Sequence, residues 1–335
     1  RRGKLTRVLN FIKSSSPKKI KHRKKLEELC DDVKRSTKTG KVPPVIPNGW
    51  YIITESDEVP PNLVKYVSVL GENLAVFRTA EGTIRVVDAY CTHSSTIMDI
   101  GSKVKEHCLV CTFYGWQKRN RSNNNGILIT VSDFAGMRNW KSCEVNDCVF
   151  VWYHAEGEEP TWEPRQWEKI SNKWYVGRYQ HSIKCHIQDI NENVSDVAHF
   201  NVVHAPFFSG ESRFWSFCNR AMTTLIQQHG TCVGWETDDQ DKPHVLTVKL
   251  LYQLRFIGKF TIMTGCITMR HFGPGYWELW SETVFGKIWA ISGFTPHNPL
   301  VQNVLTRYYS SSFDLLHARV FIPFFSIEQV SVSKF

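Results

Sequence analysis

Apolar and polar positions change rhythm along this chain. From Trp50 to about Tyr153 the apolar residues come in short runs broken by turn residues, which predicts short strands. Residues 64–70 and 74–78 flank Gly71-Glu72-Asn73, a hairpin signal. Glu81-Gly82 predicts a second turn before residues 84–87, and Cys148–Tyr153 is a further β-rich run. The polar stretch Glu156-Gly157-Glu158-Glu159-Pro160 reads as a linker. Beyond it, residues 245–255, 259–269 and 276–284 read as strands, while residues 194–203 and much of 300–325 read as helices. The expected fold class is α+β: a small all-β domain, then a larger domain in which helices pack on a curved antiparallel sheet. No internal repeat is visible.

Charge separates a third region. Residues 1–45 carry 15 Lys and Arg against 4 Asp and Glu, a net of +11, and the rest of the chain sums to −2. A near-neutral body disfavours a nucleic-acid binder, whose basic residues would sit on the folded surface. The arm, centred on Pro17-Lys18-Lys19-Ile20-Lys21-His22-Arg23-Lys24-Lys25, suits contact with anionic lipid. Pro43-Pro44 and Pro47-Asn48-Gly49 mark its end, so the expected units are residues 1–45, 46–155 and 156–335. No apolar run reaches the roughly 18 residues of a membrane span. The chain starts at Arg1, and basic runs commonly follow an anchor on its cytoplasmic side. The expectation is therefore membrane association through something upstream of Arg1, with the folded body cytoplasmic. The ten cysteines are scattered, which argues for buried thiols and a metal site rather than a disulfide framework.

Two constellations carry chemistry. The first is Cys91-Thr92-His93, then seventeen residues, then Cys111-Thr112-Phe113-Tyr114-Gly115-Trp116. A Rieske [2Fe–2S] centre takes two Cys on one iron and two His on the other. Its two loops each donate one Cys and one His, as Cys-x-His and Cys-x-x-His. Cys91, His93 and Cys111 fit that scheme, and Tyr114 stands where the second His is expected. Cys108 and His107 lie close by as substitutes, although Cys108 reads better as a buried thiol. The second constellation is Asp196-Val197-Ala198-His199-Phe200-Asn201-Val202-Val203-His204. On a helix Asp196 and His199 share a face. Two His on an open-sided metal, completed by a carboxylate, suit non-haem Fe(II) and leave positions open for O2. Asp196 is then placed to hold the N–H of His199.

Together these residues resemble the Rieske non-haem iron oxygenases, and among them the Neverland-type cholesterol 7-desaturases. The stretches that carry the resemblance are Pro47-Asn48-Gly49-Trp50, residues 70–79, Val87-Asp88-Ala89-Tyr90-Cys91, residues 151–160, Cys185-His186-Ile187-Gln188-Asp189-Ile190 and Gly273-Pro274-Gly275. It runs from about Pro43 to the end. The resemblance implies a Rieske domain followed by a helix-grip-like catalytic domain that introduces a sterol 7,8 double bond. It implies O2, a sterol substrate, and electrons from NAD(P)H through a separate reductase. Cys91, His93 and Cys111 would hold the cluster, and His199 and His204 the iron. It also implies a head-to-tail trimer, in which Asp196 bridges His199 to the neighbouring subunit's ligand at the position of Tyr114.

The sequence departs from the family pattern at Tyr114, and again where an Asp is expected as the third iron ligand. There it reads Ser326-Ile327-Glu328-Gln329-Val330, with Glu328 the nearest carboxylate and Asp314 earlier. A second reading follows: a redox-inactive homologue that binds a sterol or another lipid, with Phe207, Phe208, Phe214 and Trp215 lining a cavity or forming core.

Overall fold

The computed structural model describes residues 44–91, 97–98, 102–105, 108–110, 117–118, 138–167, 175–196, 201, 226–237, 244–283 and 286–310. Among them the first half is three small antiparallel sheets. β1 (Gly49–Glu55) pairs with β10 (Cys148–Tyr153), which pairs with β9 (Ser142–Val145). β2 (Val64–Val69), β3 (Glu72–Arg78), β4 (Ile84–Asp88) and β8 (Asn139–Trp140) form a second sheet. β5 (Lys103–Lys105), β6 (Cys108–Val110) and β7 (Gln117–Lys118) form a third. The expected hairpin forms with its turn shifted towards the N-terminus. Leu70 and Gly71 are the loop, with φ of 59° and 70°, the paired positive values of a type I′ turn. Leucine is an unusual occupant there. Its side chain is buried among Val67, Val69 and Leu74, and its N–H donates to the Pro296 carbonyl in the second half.

The second half is one seven-stranded antiparallel sheet. Its order is β11 (Tyr175–Ile183), β17 (Val301–Ser310), β16 (Gly286–Asn298), β15 (Tyr276–Thr283), β14 (Phe260–Phe272), β13 (Val245–Phe256), β12 (Ile226–Thr237). Three of these strands match the expected ones closely. β17 corrects the helix expected over residues 300–325: its burial alternates through Gln302, Val304 and Thr306, a period of two that a helix cannot keep. Residues 311–325 lie outside the described residues. The described helix α1 (Ile187–Ser195) precedes the helix expected at 194–203 and ends before Asp196; within that expected span Asn201 is helical, and residues 197–200 and 202–203 lie outside the described residues.

Strand register sorts the large sheet into two faces. The outer face packs on the β1–β10–β9 sheet, with Tyr276, Ile291 and Tyr309 against Trp50, Ile52, Phe150 and Trp152. The seam is close enough to require glycine. A Cβ on Gly49 would lie 2.7 Å from Pro274, and one on Gly275 would overlap the Tyr51 ring. An ion cluster sits on the same face: Glu55, 1% exposed, takes Arg307 and Arg178 on its two carboxylate oxygens. The inner face runs from Trp277, Phe294 and Val304 through Ala290 and Tyr308 to Leu250, Tyr252 and Ile267. α1 packs at its near end through Ile187 and Ile190.

Candidate metal centres

β4 ends at Asp88, and the chain continues through Ala89 and Tyr90 into Cys91, which is 2% exposed. Tyr90 bridges to Ile97 and the Met98 N–H donates to the Ala89 carbonyl at 2.8 Å, so residues 92–96 run between paired ends. The second candidate stretch, residues 111–116, joins β6 to β7, whose Val110 pairs with Gln117. The two stems share one core. Cys91 and Leu109, two residues before Cys111, belong to the same buried group with Ala89 and Met98. The fold thus brings the base of the Cys91 stretch beside the base of the Cys111 stretch, as a shared cluster requires.

His93, Cys111 and Tyr114 themselves lie outside the described residues. On donor chemistry, two thiols and an imidazole fit a Rieske centre in three of its four positions. Tyr114 supplies a phenol, which ligates only after losing a proton held with a pKa near 10.

The second site begins at α1. His186 caps it: its Nδ1 accepts the Gln188 N–H at 3.2 Å, and its own N–H donates to the Asp189 carboxylate at 2.9 Å. The carboxamide of Asn191 accepts from the Trp277 indole at 3.1 Å and donates to the Pro274 carbonyl at 3.1 Å. This ties the helix to the turn that meets β1. The helix stops at Asp196, whose N–H reaches the Glu192 carbonyl while its own ψ swings to 88°. Asn193, Ser195 and Asp196 all offer side chains that compete for backbone groups, which favours an end there. Asp196 is exposed and lies just past the last residue of α1. His199 and His204 lie outside the described residues, as do Asp314, Glu328 and the aromatics at 207, 208, 214 and 215. Asn201, between the two histidines, is described. Its Nδ2 donates to the Gly230 carbonyl at 2.9 Å, and its Oδ1 accepts the Gly230 N–H at 2.8 Å. Among the described residues no group of three or more His, Cys, Asp or Glu side chains could hold a metal.

Three features of the inner face escaped the sequence reading. His271 on β14 is buried and His181 on β11 is half-buried, with both ring nitrogens of His181 and Nε2 of His271 out of reach of water and lacking a hydrogen-bond partner. Burial lowers the pKa of each, that of His271 to about 4. Ser292 and Thr306 pair their hydroxyls at 2.9 Å. By register Thr306, Ser292, Trp277 and His271 form one cross-strand row, flanked by the apolar row of Tyr308, Ala290, Leu279 and Met269. A lone polar residue inside a strand looks the same in sequence whether it meets water or core, so no signal marked these positions. Among the described residues no helix is long and apolar enough to cross a membrane.

Comparison with known proteins agrees with this layout. Residues 49–126 match the Rieske [2Fe-2S] domain, and residues 151–251 match the 3-ketosteroid 9alpha-hydroxylase C-terminal domain. The dicamba monooxygenase structure bound to 3,6-dichlorosalicylic acid superposes with a TM-score of 0.59 at 12% identity, covering 86% of each chain. NdmB from Pseudomonas putida CBB5 gives 0.55 at 16% identity, over 85% of this chain and 80% of that one. The architecture is therefore that of a Rieske oxygenase. Cholesterol 7-desaturase nvd of Xenopus laevis is 37% identical over 286 residues, 81% of this chain and 61% of the relative. Cholesterol 7-desaturase of Caenorhabditis elegans is 30% identical over 300 residues, 85% of this chain and 69% of the relative. The chain belongs to the Neverland-type cholesterol 7-desaturase family, and it spans about three-fifths of the Xenopus laevis relative's length.

Proposed function

We propose that this chain is the oxygenase component of a sterol 7-desaturase, using O2 and electrons from NAD(P)H delivered by a separate reductase. In this reading Cys91, His93 and Cys111 hold a [2Fe–2S] cluster, and His199 and His204 hold a mononuclear Fe(II). When bound, the cluster passes single electrons and the iron activates O2 with them. Asp196 accepts the N–H of His199 and fixes its tautomer. Its exposure in the single chain suits a partner supplied by a second subunit of a head-to-tail trimer. The inner face supplies a mostly apolar wall with few polar atoms, which suits a sterol, an apolar body with one hydroxyl. The basic arm, residues 1–45, would contribute membrane contact, leaving the catalytic part on the cytoplasmic side. The observation that carries the reading is the joining of the Cys91 and Cys111 stems in one core, in a chain whose relatives are named cholesterol 7-desaturases.

Tyr114 favours a second reading, a sterol- or lipid-binding homologue without a working electron path. Iron analysis of the purified chain separates the two. The desaturase reading expects about three irons per chain, a Rieske electron paramagnetic resonance signal after reduction, and conversion of cholesterol to a 7,8-unsaturated sterol with a reductase present. A folded chain that binds cholesterol but takes up no iron overturns it.

A further inference from the structure

The candidate iron ligands His199 and His204 lie on either side of Asn201, and Asn201 is joined to the sheet at two points. Among the described residues β12 is an edge strand, paired with β13. In an antiparallel ladder a residue's N–H and C=O point to the same side, either towards the partner strand or away from it. Gly230 sits opposite Tyr252, and both of its backbone groups turn to the Asn201 carboxamide at 2.8 and 2.9 Å. Those groups would otherwise be an unpaired edge. The carboxamide stands in for one residue of an eighth strand, accepting with its oxygen and donating with its nitrogen.

We propose that Asn201 is a positioning residue for the mononuclear iron, clamping the stretch between the two histidine ligands to the β12 edge. The inference rests on the proposed function, because it takes His199 and His204 as ligands. Asn191 performs the matching task ten residues earlier, at Pro274 and Trp277. The histidine-bearing stretch is thereby fastened to β15 and its turn before the ligands, and to β12 between them. Only a carboxamide meets both Gly230 groups. Aspartate has nearly the same shape but sets an oxygen against the Gly230 carbonyl in place of a donor.

The test is Asn201→Asp in the full chain, titrated with Fe(II) against a chelator, with nitric oxide as a spectroscopic probe of the mononuclear site. Loss of a group hydrogen-bonded to a metal ligand typically weakens metal binding by about 10- to 100-fold, and a clamp on the ligand-bearing backbone is expected to match the lower end of that range. The expected result is at least a tenfold weaker mononuclear site, and a weaker nitrosyl signal, while the Rieske signal of the same sample is unchanged. Affinity within about twofold of the parent overturns the clamp. A parent chain that binds no mononuclear iron overturns the proposed function and the clamp with it, and so reads differently from a variant that merely equals its parent. If Asn201→Asp does not fold, amide exchange in the parent decides. The Gly230 N–H is protected if the carboxamide holds it, and exchange at a free-edge rate overturns the proposal.

Discussion

His271 is an imidazole kept neutral by its surroundings. It packs against Trp277 with ring centroids 4.5 Å apart and the ring planes tilted by 37°, and Leu246 faces it from β13. Burial lowers its pKa to about 4, so the unfolded chain, with an ordinary histidine near 6.5, binds the extra proton first as pH falls. The stabilising difference is complete above about pH 6.5 and is lost as pH falls from there towards 4. Between pH 7.5 and 5 the loss from this residue is on the order of 2 kcal/mol. His181 is shifted in the same direction by burial and adds to the trend. Urea denaturation at the two pH values is expected to show a smaller pH-dependent loss for His271→Leu than for the parent. Equal losses would mean that His271 is protonated in the folded protein. The sequence shows neither histidine as special, because burial at a single strand position depends on which elements cover it. Cys91 is the opposite case. Its neighbours in sequence, Cys-x-His and the spacing to Cys111, mark it without any knowledge of packing.

At the scale of elements, β17 and β1 show what the sequence carries and what it hides. Strands with sharp turns were legible, as β10, β13, β14 and β15 demonstrate. β17 was not, because Val301-Gln302-Asn303-Val304-Leu305-Thr306 has apolar spacing that serves a helix or a strand, and pairing with both β11 and β16 decides it. α1 escaped the sequence reading because its start is set by an unusual cap, His186 with Asp189, rather than by Ser or Thr. The close approach of β1 to the Gly273-Pro274-Gly275 turn is written as glycines, but sequence alone does not say what they approach. Gly275 faces the Tyr51 ring, whose hydroxyl donates to the Pro47 carbonyl at 2.6 Å and cannot swing aside without losing that bond. Gly275→Ala is therefore expected to destabilise the chain by about 1–3 kcal/mol, the usual cost of overfilling a packed site. Tyr51→Leu in the same background should recover part of it, read as the midpoint of thermal or urea unfolding. An alanine tolerated at no cost would mean that this seam is loosely packed.

Across the whole molecule, the two halves are joined by bonds that neither makes alone. The Leu70 N–H reaches Pro296, Thr295 Oγ1 donates to the Ile52 carbonyl, and His297 Nδ1 meets the Ser68 carbonyl at 2.9 Å. At the centre of the seam Glu55 of β1 takes Arg307 of β17 and Arg178 of β11, and the Arg307 guanidinium lies 4.4 Å from the Tyr175 ring. A seam built this way makes the halves one cooperative unit, and it fixes where the β1–β10–β9 sheet stands relative to the large sheet. That rigidity matters for the proposed head-to-tail assembly, in which the cluster of one subunit must face the iron of another. A buried pair stabilises less than its Coulomb attraction suggests, because both charges were taken from water; breaking it is costly because one charge stays behind. Arg307 is 5% exposed, and after loss of Glu55 its remaining ion pair among the described residues is with the Asp147 carboxylate at 3.6 Å, with Glu58 adding a weaker attraction. Glu55→Met is expected to cost about 3 kcal/mol, and Glu55→Met with Arg307→Met markedly less than the sum of the two single changes. Calorimetry should show one unfolding transition in the parent. If Glu55→Met splits it into two, the ion cluster couples the halves; if the single and double variants simply add, the coupling resides in the aromatic seam of Trp50, Trp152 and Tyr276 instead.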